Sequence, residues 1–313
     1  MNRFIRYYNQ NRKKIWMAIG IVIALFILLK LINYISILNN QEKINNRSNE
    51  EKKNTNSIST NSTYTSTKSG VTGAKIQTSQ LNNAQEVLDK FYVNCNNQNV
   101  EEAYNMLTDE CKELVYPSLE SFQNNYYNNV FQGKKKNYYF ENWRDNTYLV
   151  TVKEDILSTG KTNSDDDKIN DYVTIVDDKL NINKYIGRTL INKTQENKDI
   201  KMTVNSKDTF MDYEIYNLTI KNESNKEICL TSTQDSNEVY LQDSNKVKYG
   251  VYNHELLESR MIVNAGGSKN LSFKFYSAYV SNKNIDRLVF KNLFLDNRDR
   301  GNEDNIYEYN INF

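Results

Sequence analysis

The sequence predicts an N-terminal transmembrane helix, then an α+β domain, then an all-β sandwich. Three observations lead to this fold class. One long apolar run covers residues 15–38, helical spacing followed by strand alternation fills residues 82–192, and short alternating segments continue through residues 195–313. Helical and strand periods are the main signals of secondary structure in a sequence, and helices followed by a run of strands indicate an α+β order.

The apolar run predicts a transmembrane signal anchor over residues 15–38. Its first part, 15–29, has no charged residue and covers roughly 22 Å as a helix. The run reaches the ~30 Å of a bilayer core when it continues to Ile35, with Lys30 extending its ammonium towards the head groups. Trp16 and Tyr34 lie near its two ends, as interfacial aromatic residues do. The alternative is a cleaved signal peptide, but no small-x-small cleavage site follows Leu29.

The charges that flank this run predict its orientation. Basic residues precede it without any acidic residue, whereas basic and acidic residues alternate after it. Because basic residues favour the cytoplasmic side, residues 1–14 are expected to be a cytoplasmic tail and 39–313 to lie outside the cell membrane. The expected lipid partner is therefore the bilayer, through residues 15–38. The basic residues before the run are Arg3, Arg6, Arg12, Lys13 and Lys14.

Composition limits the possible partners and covalent links. The chain has 40 basic and 39 acidic residues and a net charge of +1, which argues against nucleic-acid binding because that needs a basic surface. The triplet Lys134–Lys136 is interpreted as a solvated turn. Three cysteines, Cys95, Cys111 and Cys229, do not make a disulfide framework for a chain of this length. Whether Cys95 and Cys111 are bridged stays open at this point.

Residues 39–81 are predicted to form a disordered linker, because almost none of them is apolar enough to offset the entropy of ordering. The α+β domain over 82–192 begins with a helix whose apolar residues recur three and four positions apart. Two further helices are expected from Val100 and after Pro117. Strands are expected at 138–143, 148–152, 172–176 and 180–186. The apolar face of the first helix consists of Ala84, Val87, Leu88, Phe91, Tyr92 and Cys95.

Residues 103–131, AYNMLTDECKELVYPSLESFQNNYYNNVF, form a helix that ends in a Leu–Thr turn, then a helix carrying Phe122 and Tyr126. This stretch resembles the nuclear-transport-factor-2-like cone fold, and more narrowly the small N-terminal domain of some membrane-anchored penicillin-binding transpeptidases. The resemblance covers about residues 82–192 and implies a cone-shaped domain. The Ser-x-x-Lys catalytic domain of those transpeptidases does not follow, so the resemblance implies no such activity. Cone domains also occur in conjugation and secretion machines.

Residues 195–313 contain regularly spaced short alternating segments, which predict a β-sandwich. Turn residues separate the segments, as at Asp243–Asn245 and Gly266–Gly267. The run 213–230, YEIYNLTIKNESNKEICL, is similar to immunoglobulin-like modules of secreted bacterial lipoproteins, which implies an immunoglobulin-like sandwich. Alternation continues to the last residue through Tyr307, Tyr309, Ile311 and Phe313.

No catalytic, cofactor-binding or metal-binding residue is assigned from the sequence, and no cofactor is expected. His254 is the single histidine, which rules out a histidine-based zinc site. Asp165–Asp167 is interpreted as a solvated loop. The segment Asp296–Gly301 fails as a calcium loop because arginines occupy its third and fifth positions.

One cluster keeps an enzyme hypothesis open. Asp155 follows a predicted strand, with Glu141, Tyr139 and Tyr148 expected nearby, and an aspartate beside a tyrosine in an apolar cavity can act in proton transfer. The alternative is that these tyrosines fill a packed core.

The sequence therefore favours a membrane-anchored extracellular interaction or accessory module of the bacterial cell envelope, without catalysis and with an envelope protein as partner. The alternatives are a small-molecule binder or enzyme that uses the cone-domain cavity, or a component of a conjugation or secretion machine. A cavity lined by an ionisable residue of shifted pKa would favour the small-molecule binder or enzyme. A filled core would favour the interaction module.

Overall fold

The protein was analysed as a computed structural model, which describes residues 64–154, 168–279 and 283–313. These residues all belong to one compact unit, Thr60–Phe313. Most of its regular structure is β-strand, arranged in three sheets. The predicted tail, 1–14, and the predicted transmembrane segment, 15–38, lie outside the described residues.

The predicted fold class, a transmembrane helix followed by a cone-shaped α+β domain and an immunoglobulin-like sandwich, is wrong. Within the described ranges, none of the helices combines the length and apolarity needed to cross a bilayer. The described chain is a mostly β unit in which three sheets share two cores. The prediction ended the first domain at residue 192 and began the second at residue 195. One strand, 185–196, runs through this point, and most of its residues are exposed, so it carries no apolar alternation.

Five of the six described α-helices precede the first strand, and the sixth lies between later strands. Helix α1 buries one face, from Leu81 to Cys95, in the first core. Thr108 begins α3 by accepting a hydrogen bond from the Cys111 backbone N–H at 3.1 Å, and Ser118 begins α4 in the same way. The bounds are α1 Thr78–Asn96, α2 Val100–Asn105, α3 Asp109–Leu114, α4 Leu119–Phe122, a π-helical turn Gln123–Tyr127, α5 Asn128–Phe131 and, between later strands, α6 Glu258–Met261.

The first sheet is an antiparallel meander packed against α1. Its strands are β1 Lys136–Arg144, β2 Thr147–Glu154, β3 Ile169–Val176 and β4 Lys179–Asn181, in that order. The rings of Tyr92 and Tyr138 stack with centroids 4.3 Å apart, joining helix and sheet.

Part of the predicted linker lies along the outer edge of this sheet. The backbone N–H groups of Thr65, Gly70 and Val71 donate to carbonyls of β1. Polar residues can be held this way because backbone hydrogen bonds, rather than apolar burial, attach them. The linker residues 39–63 lie outside the described residues.

The second and third sheets enclose the second core. The second sheet has the order β12-β7-β6-β5, with β5 Tyr185–Glu196, β6 Ile200–Phe210, β7 Glu214–Asn222 and β12 Ser268–Phe275. The third sheet has the order β10-β9-β13-β8-β11, with β14 paired to β13. Its strands are β8 Ile228–Cys229, β9 Val239–Asp243, β10 Lys248–Gly250, β11 Ile262–Val263, β13 Ile285–Phe294 and β14 Ile306–Asn312.

Strands β5 and β6 belong to both cores. Tyr185 and Phe210, at one end of this pair, are buried in the first core, whereas Ile200 and Met202, at the other end, are buried in the second. The junction between the cores is therefore built on continuous strands, and polar side chains cluster beside it.

Candidate functional site

A cleft of about 440 Å³ opens at the junction between the two cores. Strands from two sheets supply its charged side chains: Arg144 from β1, Arg188 from β5, Lys207 from β6 and Glu214 from β7. Lys283, which precedes β13, and Glu110 of α3 are the other charged residues of the lining. A volume of this size lies in the range of small-molecule sites, which often form where two cores meet.

Glu214 lies at the centre of one wall. Strand β7 alternates buried and half-buried residues, and Glu214 takes an inward position, so its side chain is only 2% exposed. Its Oε1 lies 3.2 Å from the Lys207 ammonium, and its Oε2 lies 3.2 Å from the Lys283 ammonium. Ser277 donates its hydroxyl to the same carboxylate at 2.9 Å. One buried carboxylate thus forms ion pairs with two ammonium groups.

Lys207 and Lys283 differ in how many of their N–H donors are already used in hydrogen bonds or ion pairs. Lys283 is 5% exposed and also donates to the Ser277 hydroxyl at 2.5 Å and to the Ala278 carbonyl at 3.0 Å, so its three donors are used. Burial lowers the pKa of Lys283 despite the opposing effect of Glu214. Lys207 is 27% exposed, and its ammonium makes one hydrogen bond within the described residues. Lys207 therefore keeps donors for a ligand.

Arg188 and Asp208 form a second, more enclosed pair beside the cleft. Asp208 is fully buried and accepts from Arg188 Nε at 2.8 Å, from the Tyr185 hydroxyl at 3.0 Å and from Asn217 at 2.8 Å. Hydrogen bonding to Asp208 raises the pKa of the Arg188 guanidinium. Arg188 also reaches Glu113 of α3 at 2.9 Å, so it ties the helices to β5 and β6.

Basic side chains outnumber acidic ones in the lining of the cleft, although Arg144 and Arg188 also pair with carboxylates beside it. It carries four basic side chains, Arg144, Arg188, Lys207 and Lys283, against two acidic ones, Glu110 and Glu214. The whole chain, by contrast, is nearly neutral at +1. Hydroxyls of threonines on β5 and β6 also line the cleft. These groups are donors and cations, so chemically the cleft is suited to hold an anionic group.

A second cavity, of about 140 Å³, lies between the helices and the first sheet and shares no lining residue with the cleft. Its floor includes Tyr116, Tyr126 and Asp171, which are all buried. The Asp171 carboxylate accepts backbone N–H bonds from Asn183 at 2.8 Å and Lys184 at 3.0 Å. Burial nevertheless raises the pKa of Asp171 to about 6.

The described members of the proposed catalytic cluster do not share one face of the sheet. Asp155 lies outside the described residues. Tyr139 and Glu141 point to the outer face of β1, whereas Tyr148 is 1% exposed and points into the core. The tyrosines that lie near a carboxylate are instead Tyr116 and Tyr126, which line the second cavity with Asp171.

The other residues considered in the sequence have structural surroundings. The side chain of His254 is 68% exposed, 3.4 Å from Glu255. The three cysteines are buried free thiols whose pKa burial raises, so Cys95 and Cys111 are not bridged. Asp296 pairs with Lys226 at 3.0 Å, and the described ranges contain no group of residues able to hold a metal ion. Asp165–Asp167 lies outside them.

The interpretation of Lys134–Lys136 as a solvated turn is wrong for its last residue. Lys136 begins β1, is 4% exposed and lies 3.6 Å from the Glu154 carboxylate, which also binds Lys134. The pairing of β1 with β2 places Lys136 opposite Glu154, so the buried ammonium of Lys136 lies beside an opposite charge.

Sequence reasoning missed Asp208, Glu214 and Asp171, which carry the polar chemistry of both sites. For Asp208 and Glu214 a signal was present. Each stands at an inward position of an alternating strand, where an apolar residue is expected. A charge in such a place needs a buried partner.

No family model and no curated protein matches the chain. Among solved structures, the yjhA protein from Bacillus subtilis is 19% identical, and the match covers 39% of this chain and 97% of that one, with a TM-score of 0.28. A functionally unknown protein from Listeria monocytogenes EGD-e is 9% identical (41% and 82% covered, TM-score 0.26). A conserved hypothetical protein from Bacillus anthracis is 11% identical (40% and 94% covered, TM-score 0.24). Scores this low carry no argument, and the three resemblances drawn from the sequence gain no support.

Proposed function

We propose that this protein is a non-catalytic binding module that holds an anionic group of its partner, a carboxylate or a phosphate, in the cleft at the junction of the two cores. The observation that carries the proposal is the pair Lys207 and Lys283 in the lining of the cleft, whose two ammonium groups share the one carboxylate of Glu214. Arg188 is already paired with Asp208 and Glu113, and Arg144 with Asp145, so the charge left for an anion to balance is that of Lys207 and Lys283.

Lys207 is the residue expected to contact the anion directly. It shares Glu214 with Lys283, so the carboxylate compensates only one of the two ammonium charges. Lys283 is held by three acceptors, whereas Lys207 is partly exposed and retains donors. Charge-assisted hydrogen bonds from such an ammonium are stronger than neutral ones.

Arg188 has a supporting part in this proposal. Its contacts with buried Asp208 and with Glu113 fix the guanidinium at the wall of the cleft. The anion would therefore meet a wall that is already ordered, which reduces the entropy lost on binding.

The partner in this proposal is a component of the bacterial cell envelope. The protein would bind this partner through a surface contact and would not convert it chemically. This compartment remains the prediction made from the N-terminal sequence, in which residues 39–313 lie outside the cell membrane.

The proposal is tested by calorimetric titration of the full chain with inorganic phosphate and with acetate, at constant ionic strength. Lys207→Ala should weaken binding by about tenfold or more, the value of one charge-assisted hydrogen bond. The matched control is Lys193→Ala, on the exposed part of β5 and away from the cleft. Equal losses in both variants, or no saturable binding in the wild-type chain, would contradict the proposal.

A further inference from the structure

We infer that the second cavity is a binding site for a small primary ammonium group, with the Asp171 carboxylate and the Tyr116 hydroxyl as its acceptors. This site is separate from the anion-binding cleft and does not depend on it. It would accept an alkylammonium ion or the amine end of a larger ligand.

The Asp171 carboxylate has acceptor capacity left. A carboxylate offers about four lone-pair positions. The N–H of Asn183 takes one position on Oδ2 at 2.8 Å, and the N–H of Lys184 takes one on Oδ1 at 3.0 Å, while Tyr172 adds a backbone bond. All of these donors are neutral, and in the described part of the chain no ammonium or guanidinium forms an ion pair with Asp171; Lys184 acts on its charge only from a distance.

The Tyr116 hydroxyl is the second observation. Tyr116 is 1% exposed and lies near Asn183, yet its hydroxyl makes no hydrogen bond of normal geometry with the described residues. A buried hydroxyl without a partner is unfavourable. An ammonium in the cavity would donate to it and to Asp171 together, because Tyr116 and Asp171 line the same space.

Size and surroundings fit an ammonium group. The cavity of about 140 Å³ equals the volume of roughly five waters at ~30 Å³ each, enough for an amine with a few heavy atoms. The buried ring of Tyr126 lines it, and an aromatic face attracts a cation. Exposed Asn125 and Asn170 form part of its mouth. The one lysine at the mouth, Lys184, extends its ammonium to Asp212 at 3.0 Å.

Binding should depend on pH through Asp171. Burial raises the pKa of this carboxyl to about 6, so a proton competes with the amine below that pH. Affinity should then fall about tenfold per pH unit below 6 and stay constant between pH 7 and 8. The titratable groups that interact with Asp171 are the tyrosines, whose pKa burial raises, a buried thiol and one lysine: Tyr92, Tyr116, Tyr126, Cys111 and Lys184.

The test is an NMR titration of the full chain with ethylammonium chloride, against sodium chloride at equal ionic strength and against ethylene glycol as a neutral probe. We expect saturable shifts with ethylammonium alone, unaffected by phosphate. Tyr116→Phe should reduce the affinity about tenfold, the exposed control Tyr139→Phe should leave it unchanged, and Asp171→Asn should abolish binding.

Tyr116→Phe decides the matter where Asp171→Asn does not fold, because it removes only a hydroxyl that makes no hydrogen bond of normal geometry with the described residues. Unchanged ethylammonium affinity in Tyr116→Phe would overturn the assignment. Equal binding of ethylene glycol and ethylammonium would also overturn it, because that result would show a polyol site.

Discussion

Glu214→Gln is expected to destabilise the protein strongly while hardly changing the shape of the side chain. The substitution removes the one carboxylate that Lys207 and Lys283 share. Because the side chain of Lys283 is 5% exposed, its ammonium would stay buried without an opposite charge. Breaking a buried pair in this way costs about 3–5 kcal/mol. Lys207 is 27% exposed and adds at most about 1 kcal/mol. The total is a large share of the ~5–15 kcal/mol that stabilises a typical domain.

A double-mutant cycle separates the charge effect from packing. Urea unfolding followed by circular dichroism would give the free energy of unfolding of the wild type, Glu214→Gln, Lys283→Met and the double variant. The double variant should recover most of the loss, because replacing a buried pair with neutral groups is often harmless. Glu214→Gln should also gain stability as pH rises, since the pKa of Lys283 is already lowered by burial and its ammonium can lose the proton.

The reasoning would be refuted by a Glu214→Gln variant less than about 1 kcal/mol below the wild type, the value of an exposed pair. It would also be refuted if the double variant were no more stable than Glu214→Gln. Either result would mean that Lys283 is solvated and that the wall of the cleft is not a buried ionic cluster.

Three further outcomes are expected. Tyr116→Phe should raise the free energy of unfolding by about 1–2 kcal/mol in thermal denaturation, because it deletes a buried hydroxyl that makes no hydrogen bond of normal geometry with the described residues; a loss of stability would show that the hydroxyl is bonded, for example to nearby Asn183. The pKa of Asp171 is raised to about 6 in the folded chain, so its contribution to stability is full below pH ~4 and falls by about 3 kcal/mol as pH rises to 6. Subtracting the urea stability profile of Asp171→Asn should reveal that fall, and a flat difference would contradict it. Ile311→Ala should cost about 2–5 kcal/mol in the same assay, because Ile311 of β14 is 1% exposed; a change below ~1 kcal/mol would mean that β14 is not part of the core.

Periodicity in the sequence predicted the elements that bury one face. The helix with Leu88 and Phe91 inward, and the strands through residues 200–204 and 271–275, form where their apolar spacing indicates. Strand β5 was not recognised as one strand, because its pattern is exposed along most of its length and only its pairing with β6 defines it. Local pattern cannot show a strand that is ordered by its neighbours.

The two sites were less accessible from sequence than the fold. Asp208 and Glu214 interrupt alternating strands and mark buried charge. Their partners, Arg188 for Asp208 and Lys283 for Glu214, are distant in sequence and join them only through folding. The cavity at Asp171 depends on the β4–β5 turn, whose residues Asn183 and Lys184 adopt positive φ values of 58° and 64° and direct their N–H groups at the carboxylate. No periodicity encodes that arrangement.

The central claim, an anion site in the cleft, is tested most directly by anomalous diffraction from crystals soaked in selenate, a heavy analogue of phosphate and sulfate. The account predicts an anomalous peak inside the cleft within hydrogen-bond reach of Lys207, present in Lys193→Ala and lost in Lys207→Ala. Selenate peaks found only at lysines outside the cleft, with the cleft empty in the wild-type crystal, would contradict it.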